Sequence, residues 1–209
     1  MPEKSKHTIW VEVLATVLMA LTTIATAWCA FQSNRWNSEQ TFFIAEANTM
    51  NRQAMENSVK GNQMRVLDVA MFMQYLAAFH NNKTELADYY RQHFRPEMKQ
   101  AFDAWINSKN EGTGDVVPHP FLLKEYTLAL EIDAKILSNS AAQKLQQAKR
   151  ANQYSGWYVM LTVFFASVLF FSGMATKFES VAIQKSVVVM GMIVFLSVIG
   201  ILVTYPVAG

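Results

Sequence analysis

An all-α membrane protein is the fold class this sequence predicts, with three transmembrane helices and a long helical domain between the first two. Three observations predict it. Apolar runs cover residues 8–31, 156–175 and 186–208, each close to the ~20 residues a helix needs to cross a ~30 Å hydrocarbon core. Within them Glu12 is the only acidic or basic side chain. Between the first two runs, apolar residues recur at helical spacing and no segment alternates as a half-buried strand would.

Composition agrees. Hydrophobic residues make up 52% of the chain and charged residues 16%, a balance tilted toward lipid. A net charge of +2 with no Lys/Arg block gives no footprint for nucleic acid. The single cysteine, Cys29, excludes an intramolecular disulfide and a thiolate metal cage.

The elements follow in order. Residues 1–7 form a short tail carrying Lys4 and Lys6. The run 8–31 exceeds the usual core of a cleavable signal and reads as a retained anchor helix. Trp10, Trp28 and Trp36 mark its ends; Tyr154, Trp157 and Tyr158 open the second span; Tyr205 lies near the end of the third. Such amphipathic rings favour the headgroup level. The turn 176–185 carries Lys177 and Lys185, on the same face as the tail. Lys/Arg in short segments marks the inner side, so the N terminus is expected inside and the domain 32–153 outside.

In that domain a seven-residue spacing joins Trp36, Phe43, Met50, Asn57, Met64 and Met71, with Ala47, Ala54 and Gly61 beside it. Such a repeat keeps one seam turned toward a partner helix. Trp36, Phe43, Ala47, Met50, Ala54 and Met64 are therefore the candidate helix-pairing residues. The register extends back to Cys29, Thr22 and Ala15, so Cys29 is expected to cross-link if first spans meet between copies. Gly61-Asn62 is the expected kink. A helix over 64–80 follows, then a turn at 81–84 with Thr84 as cap. The next helical segments carry Tyr89, Tyr90 and His93, then Pro96 to Ile106. A Gly/Pro loop fills 111–120, and Phe121 opens the last helix, which runs into the second span. The sum is a helical hairpin or four-helix bundle, with its core among the aromatic residues from Phe72 to Phe121.

The candidate sites are few. Gln32, Arg35, Glu39 and Gln40 follow the first span, and Asn152 and Gln153 precede the second. Facing one another, they would make a polar mouth for an ion or solute; their ordinary role is a hydrated headgroup-level cluster. Glu12 is an intramembrane acid, a functional candidate by default, although near a helix N terminus it also suits the dipole and a pairing with Lys4 or Lys6. Thr16, Thr22, Thr23 and Thr26 line a small-residue side of the first span, and Gly191 and Gly200 do so in the third; such sides pack helices. His80, His93 and His119 lack metal-ligand spacing. No phosphate loop, nucleophile elbow or kinase signature occurs. No cofactor, metal or catalytic residue is expected.

The stretches ATAWCAFQSNRW at 25–36, FRPE at 94–97, AFDAW at 101–105 and ASVLFF at 166–171 resemble a family of uncharacterised bacterial three-span inner-membrane proteins with a helical extramembrane domain. The resemblance implies a bacterial inner membrane and a periplasmic domain; it carries no site residues across. The expected function is non-enzymatic: self-association, or service as an accessory or scaffold subunit of a membrane complex, with the bilayer and other membrane subunits as partners. A homo-oligomeric ion or small-solute channel is the alternative, and a membrane sensor with a helical ligand domain a further one.

Overall fold

Helix formation is nearly continuous wherever the sequence lacks Gly/Pro punctuation. The structure, a computed structural model, describes residues 6–110, 117–178 and 180–208. Helix α1 spans Lys6–His80, α2 Thr84–Gln92, α3 Pro96–Asn110, α4 Ala129–Ala175 and α5 Val181–Thr204, with a 3₁₀ turn at Pro120–Leu122. Among the described residues there is no strand. Helices α1, α4 and α5 each contain a stretch long and apolar enough to cross a membrane; this is a membrane protein with three candidate spans. The chain divides into two compact units, one of residues up to Ala45 with those from Lys144 onward, the other Glu46–Gln143.

In the first unit the spans pack through small and aromatic residues. Ala25, Cys29, Tyr158, Leu161, Phe165 and Val198 form one buried cluster, and Ala15, Ala175 and Val188 a second. A methyl group on Gly191 would lie in ordinary contact, 3.5 Å from both Leu18 and Phe171, so this buried glycine marks where α5 packs on α1 and α4. Gly200 faces open space instead and packs against nothing. The hydroxyls of Thr16, Thr22, Thr23 and Thr26 each return to the carbonyl four residues earlier. That keeps the span's polar groups satisfied without water. Helix α5 ends at Thr204, before the 208 limit of its apolar run, because Pro206 disfavours helical geometry at Tyr205.

In the second unit the core is aromatic. Phe72, Phe94, Met98, Ala101, Phe102, Trp105, Tyr126 and Leu128 are buried together. Phe102 meets Phe72, Tyr75, Phe94 and Trp105 with ring centroids 4.9–6.4 Å apart. Each such ring, once buried, contributes roughly 1.5–3 kcal/mol through lost water contact. Trp105 satisfies its indole N–H on the Val117 carbonyl at 2.8 Å.

Three local expectations are corrected. Helix α1 passes through Gly61-Asn62 unbroken. Gly61 serves close approach rather than bending: a Cβ there would stand 3.0 Å from Glu131 Cγ. Thr84 is the first residue of α2 and not its cap; the cap position is Lys83, which makes no side-chain capping bond. Phe121 does not begin the last helix. Pro120 and Phe121 lie in the 3₁₀ turn, and α4 starts only at Ala129. The non-helical stretch between them turns Tyr126 and Leu128 into the core. Residues 111–116 of the Gly/Pro loop, and the tail before Lys6, lie outside the described residues.

Candidate functional site

The polar residues that follow the first span divide by helix face. Gln32 and Ser33 are buried, Arg35 is exposed, and Glu39 and Gln40 are half-buried; Asn152 and Gln153 are exposed. Gln32 Oε1 accepts the backbone N–H of Ala208 at 2.9 Å. The Ser155 hydroxyl donates to the Ser33 carbonyl at 3.0 Å, which leaves the Ser33 hydroxyl to donate to Ser155 Oγ at 3.0 Å. Trp36 Nε1 and the Tyr158 hydroxyl both donate to the Pro206 carbonyl, each at 3.1 Å. Trp36 also packs on Tyr154, with centroids 4.7 Å apart. Part of the candidate mouth is thus a clasp holding residues 206–208 against α1 and α4. Gln32 spends its carbonyl on that clasp; Arg35, Asn152 and Gln153 remain open to solvent.

Glu12 is half-buried in α1, and its backbone carbonyl receives the Thr16 hydroxyl at 2.8 Å. Lys4 lies outside the described residues, and the side chain of Lys6 is not described.

The seven-residue seam of α1 is turned inward. Ala15, Thr22 and Cys29 are fully buried, and Ala47 and Ala54 nearly so; Trp36, Phe43, Met50 and Met64 are half-buried. Cys29 is enclosed by its own chain, so cross-linking of first spans at this thiol is not expected from the fold. Along Glu46–Gln143 the same face meets the start of α4. A groove of about 480 Å³ opens there, between Asn51, Met55 and Val59 on α1 and Glu131, Lys135 and Ser138 on α4. A second, of about 400 Å³, is lined by Val69, Met73, Leu76, His119 and Phe121.

Among the described residues of the domain the deepest charge is Asp68, whose side chain is only 3% exposed. Its Oδ2 accepts from the Tyr126 hydroxyl at 2.8 Å and from Arg95 Nη1 at 3.2 Å. Arg95 also faces Glu97 at 3.1 Å. Arg65 holds Glu131 bidentately at 2.6–3.1 Å and lies over the Tyr126 ring, 5.1 Å from its centroid. Burial pushes the Asp68 carboxyl above the usual aspartate range, against the opposing pull of Tyr126 and Arg95. Burial first, then Asp68, pushes the Tyr126 phenol up. The Glu131 hydrogen bond raises Arg65 further still. Both donors to Asp68 are the protein's own side chains. The arrangement fastens α1, α3 and the segment before α4; it presents no reactive group.

His80 and His93 are exposed and His119 half-buried. The described residues contain no group of three or more His, Cys, Asp or Glu placed to hold a metal ion. Arg95 turns toward both Asp68 and Glu97. The Asp68 network escapes sequence reasoning because its members stand 27 and 58 positions apart. Searches against family models, curated proteins and solved structures find no match for this chain.

Proposed function

We propose that this is a non-enzymatic, multi-pass protein of the bacterial inner membrane that works by association, either with itself or as an accessory or scaffold subunit of a membrane complex. One observation carries the reading. In the unit Glu46–Gln143, away from any span, large apolar side chains face outward: Met55 is 71% exposed, Val66 and Leu67 61%, Met73 59% and Ile136 57%. Large apolar side chains exposed outside a span are candidates for a protein or membrane contact. The helices between the first two spans then form a bundle whose outer faces are the working surface.

Native mass measurement in lipid nanodiscs tests this. The expected result is a fixed stoichiometry above one copy, or a fixed ratio with a second membrane protein. A lone protomer overturns the proposal. A closed ring with a water-filled axis supports the channel reading instead, for which the exposed Arg35, Asn152 and Gln153 are the available polar lining.

The orientation has its own test. Lys177 lies in the short segment joining α4 and α5, and Lys185 in the opening turns of α5; such charges stay inside. In intact cells, an impermeant reagent is expected to label a tag at Gly112 and to spare one at Lys177. Labelling of Lys177 reverses the topology.

A further inference from the structure

We infer that the membrane-proximal parts of α1 and α4 hold anionic phospholipid headgroups through Arg35, Lys149 and Arg150. The inference rests on the spans and not on the association reading. All three residues belong to the unit made of residues up to Ala45 and from Lys144 onward, and all three are exposed.

Their level relative to the lipid comes first. Arg35 stands four residues beyond Phe31, where the first apolar run ends, or ~6 Å of helix. Helical side chains lean toward the helix N terminus, and the N terminus of α1 lies on the membrane side of Arg35. Arg35 therefore leans back toward the lipid. Arg150 and Lys149 precede the second apolar run, which opens at Gly156, by six and seven residues, or ~9–10 Å. Headgroups fill about 5–8 Å beyond the hydrocarbon. Both cations thus stand within a Debye length of the headgroups, ~10 Å at 0.1 M salt.

Aromatic rings fix that level. Trp28 and Trp157 are 45% and 43% exposed. Trp157 packs on Tyr154 and on Tyr205, with centroids 5.3 and 5.4 Å away. Such rings favour headgroup depth.

Charge selects the headgroup. After Asp133, α4 carries Lys135, Lys144, Lys149 and Arg150 and no acid. No ion pair among the described residues involves Lys149 or Arg150. On α1 the acid nearest the domain end of the span is Glu39, and residues 205–208 carry no charge. The level therefore holds three cations and one carboxylate. A zwitterionic headgroup brings an ammonium of its own and gains little from this excess. A headgroup with net negative charge gains from each cation near the surface. Asn34, Asn152 and Gln153 are exposed at the same level and supply neutral amide donors for phosphate oxygens.

The test is native mass spectrometry of the full-length protein released from nanodiscs of equal parts phosphatidylglycerol and phosphatidylethanolamine. The wild type is expected to retain phosphatidylglycerol in excess. Arg35→Gln, Lys149→Gln and Arg150→Gln together are expected to lower that excess about fivefold or more. Lys177→Gln with Lys185→Gln, at the opposite end of the spans, is expected to lower it less than about twofold. All five side chains are exposed, so helical content should be unchanged, and circular dichroism checks this. An excess that survives the triple substitution, or that disappears with Lys177 and Lys185 instead, refutes the assignment. Equal retention of the two lipids by the wild type refutes it as well. The same spectra report copy number, so a monomer that keeps the excess overturns the association reading and supports this one.

Discussion

Replacing Phe102 by alanine is expected to destabilise the unit Glu46–Gln143 by about 3–5 kcal/mol, the range for emptying a buried aromatic site. Phe102 is 1% exposed, and rings from α1, α2–α3 and its own helix surround it. Arg91 lies over its face, 5.4 Å from the centroid. Shielded on every side, the cavity has little means of collapse. Hydrogen exchange on the full protein in nanodiscs checks the result. Amides of α3 and of α1 beyond Glu46 should exchange faster by orders of magnitude, while those of α5 keep their protection. Unchanged exchange in α3 would show that this cluster does not hold the unit together.

The second large effect is expected at Asp68. Asp68→Ala strips the Tyr126 hydroxyl of its acceptor and Arg95 of one carboxylate, at a cost of about 2–3 kcal/mol. Arg95 keeps Glu97, which limits the loss. Asp68→Asn retains an acceptor and removes a buried charge, so it should cost far less. The pH dependence distinguishes this site from an ordinary ion pair. The carboxyl sits above its unfolded range because of burial. Its contribution is therefore fully present below the unfolded value and is lost as pH rises through the folded one. Measured against Asp68→Asn, the native protein should gain relative stability on acidification from neutral pH. Relative loss on acidification would mean that Arg95 outweighs burial.

The spans were legible because lipid imposes a blunt rule: a run of about 20 apolar residues is hard to produce otherwise. The fusion of domain and span helices was also visible in the seven-residue register that runs through Trp36 and in the last helix leading directly into the second span. What failed were decisions between local and tertiary causes. Gly61 was read as a weak point by propensity, whereas contact with Glu131 determines it. Phe121 and Tyr126 suit a helix by spacing, but Pro118 and Pro120 and the demand of the core for aromatic rings keep them out of one. Spacing shows the seven-residue seam on α1; only burial shows that Ala47 and Ala54 on it face the chain's own helices. For the polar mouth, the residue types were readable, but not the return of residues 206–208 to Gln32, a partner 176 positions distant.

That clasp bears on the order in which the protein is made. A ribosome adding ~5–20 residues per second delivers Glu131 to Arg65 after about 3–13 seconds, and Ala208 to Gln32 only after about 9–35 seconds. The domain Glu46–Gln143 therefore has its whole sequence well before the membrane part can close. During that interval the first span sits in the bilayer without the third. Its threonine hydroxyls, bonded back along their own helix, let it wait there with no partner. Gln32 bonds instead to Ala208 and stands near the end of the apolar run, where water can serve it until residues 206–208 arrive.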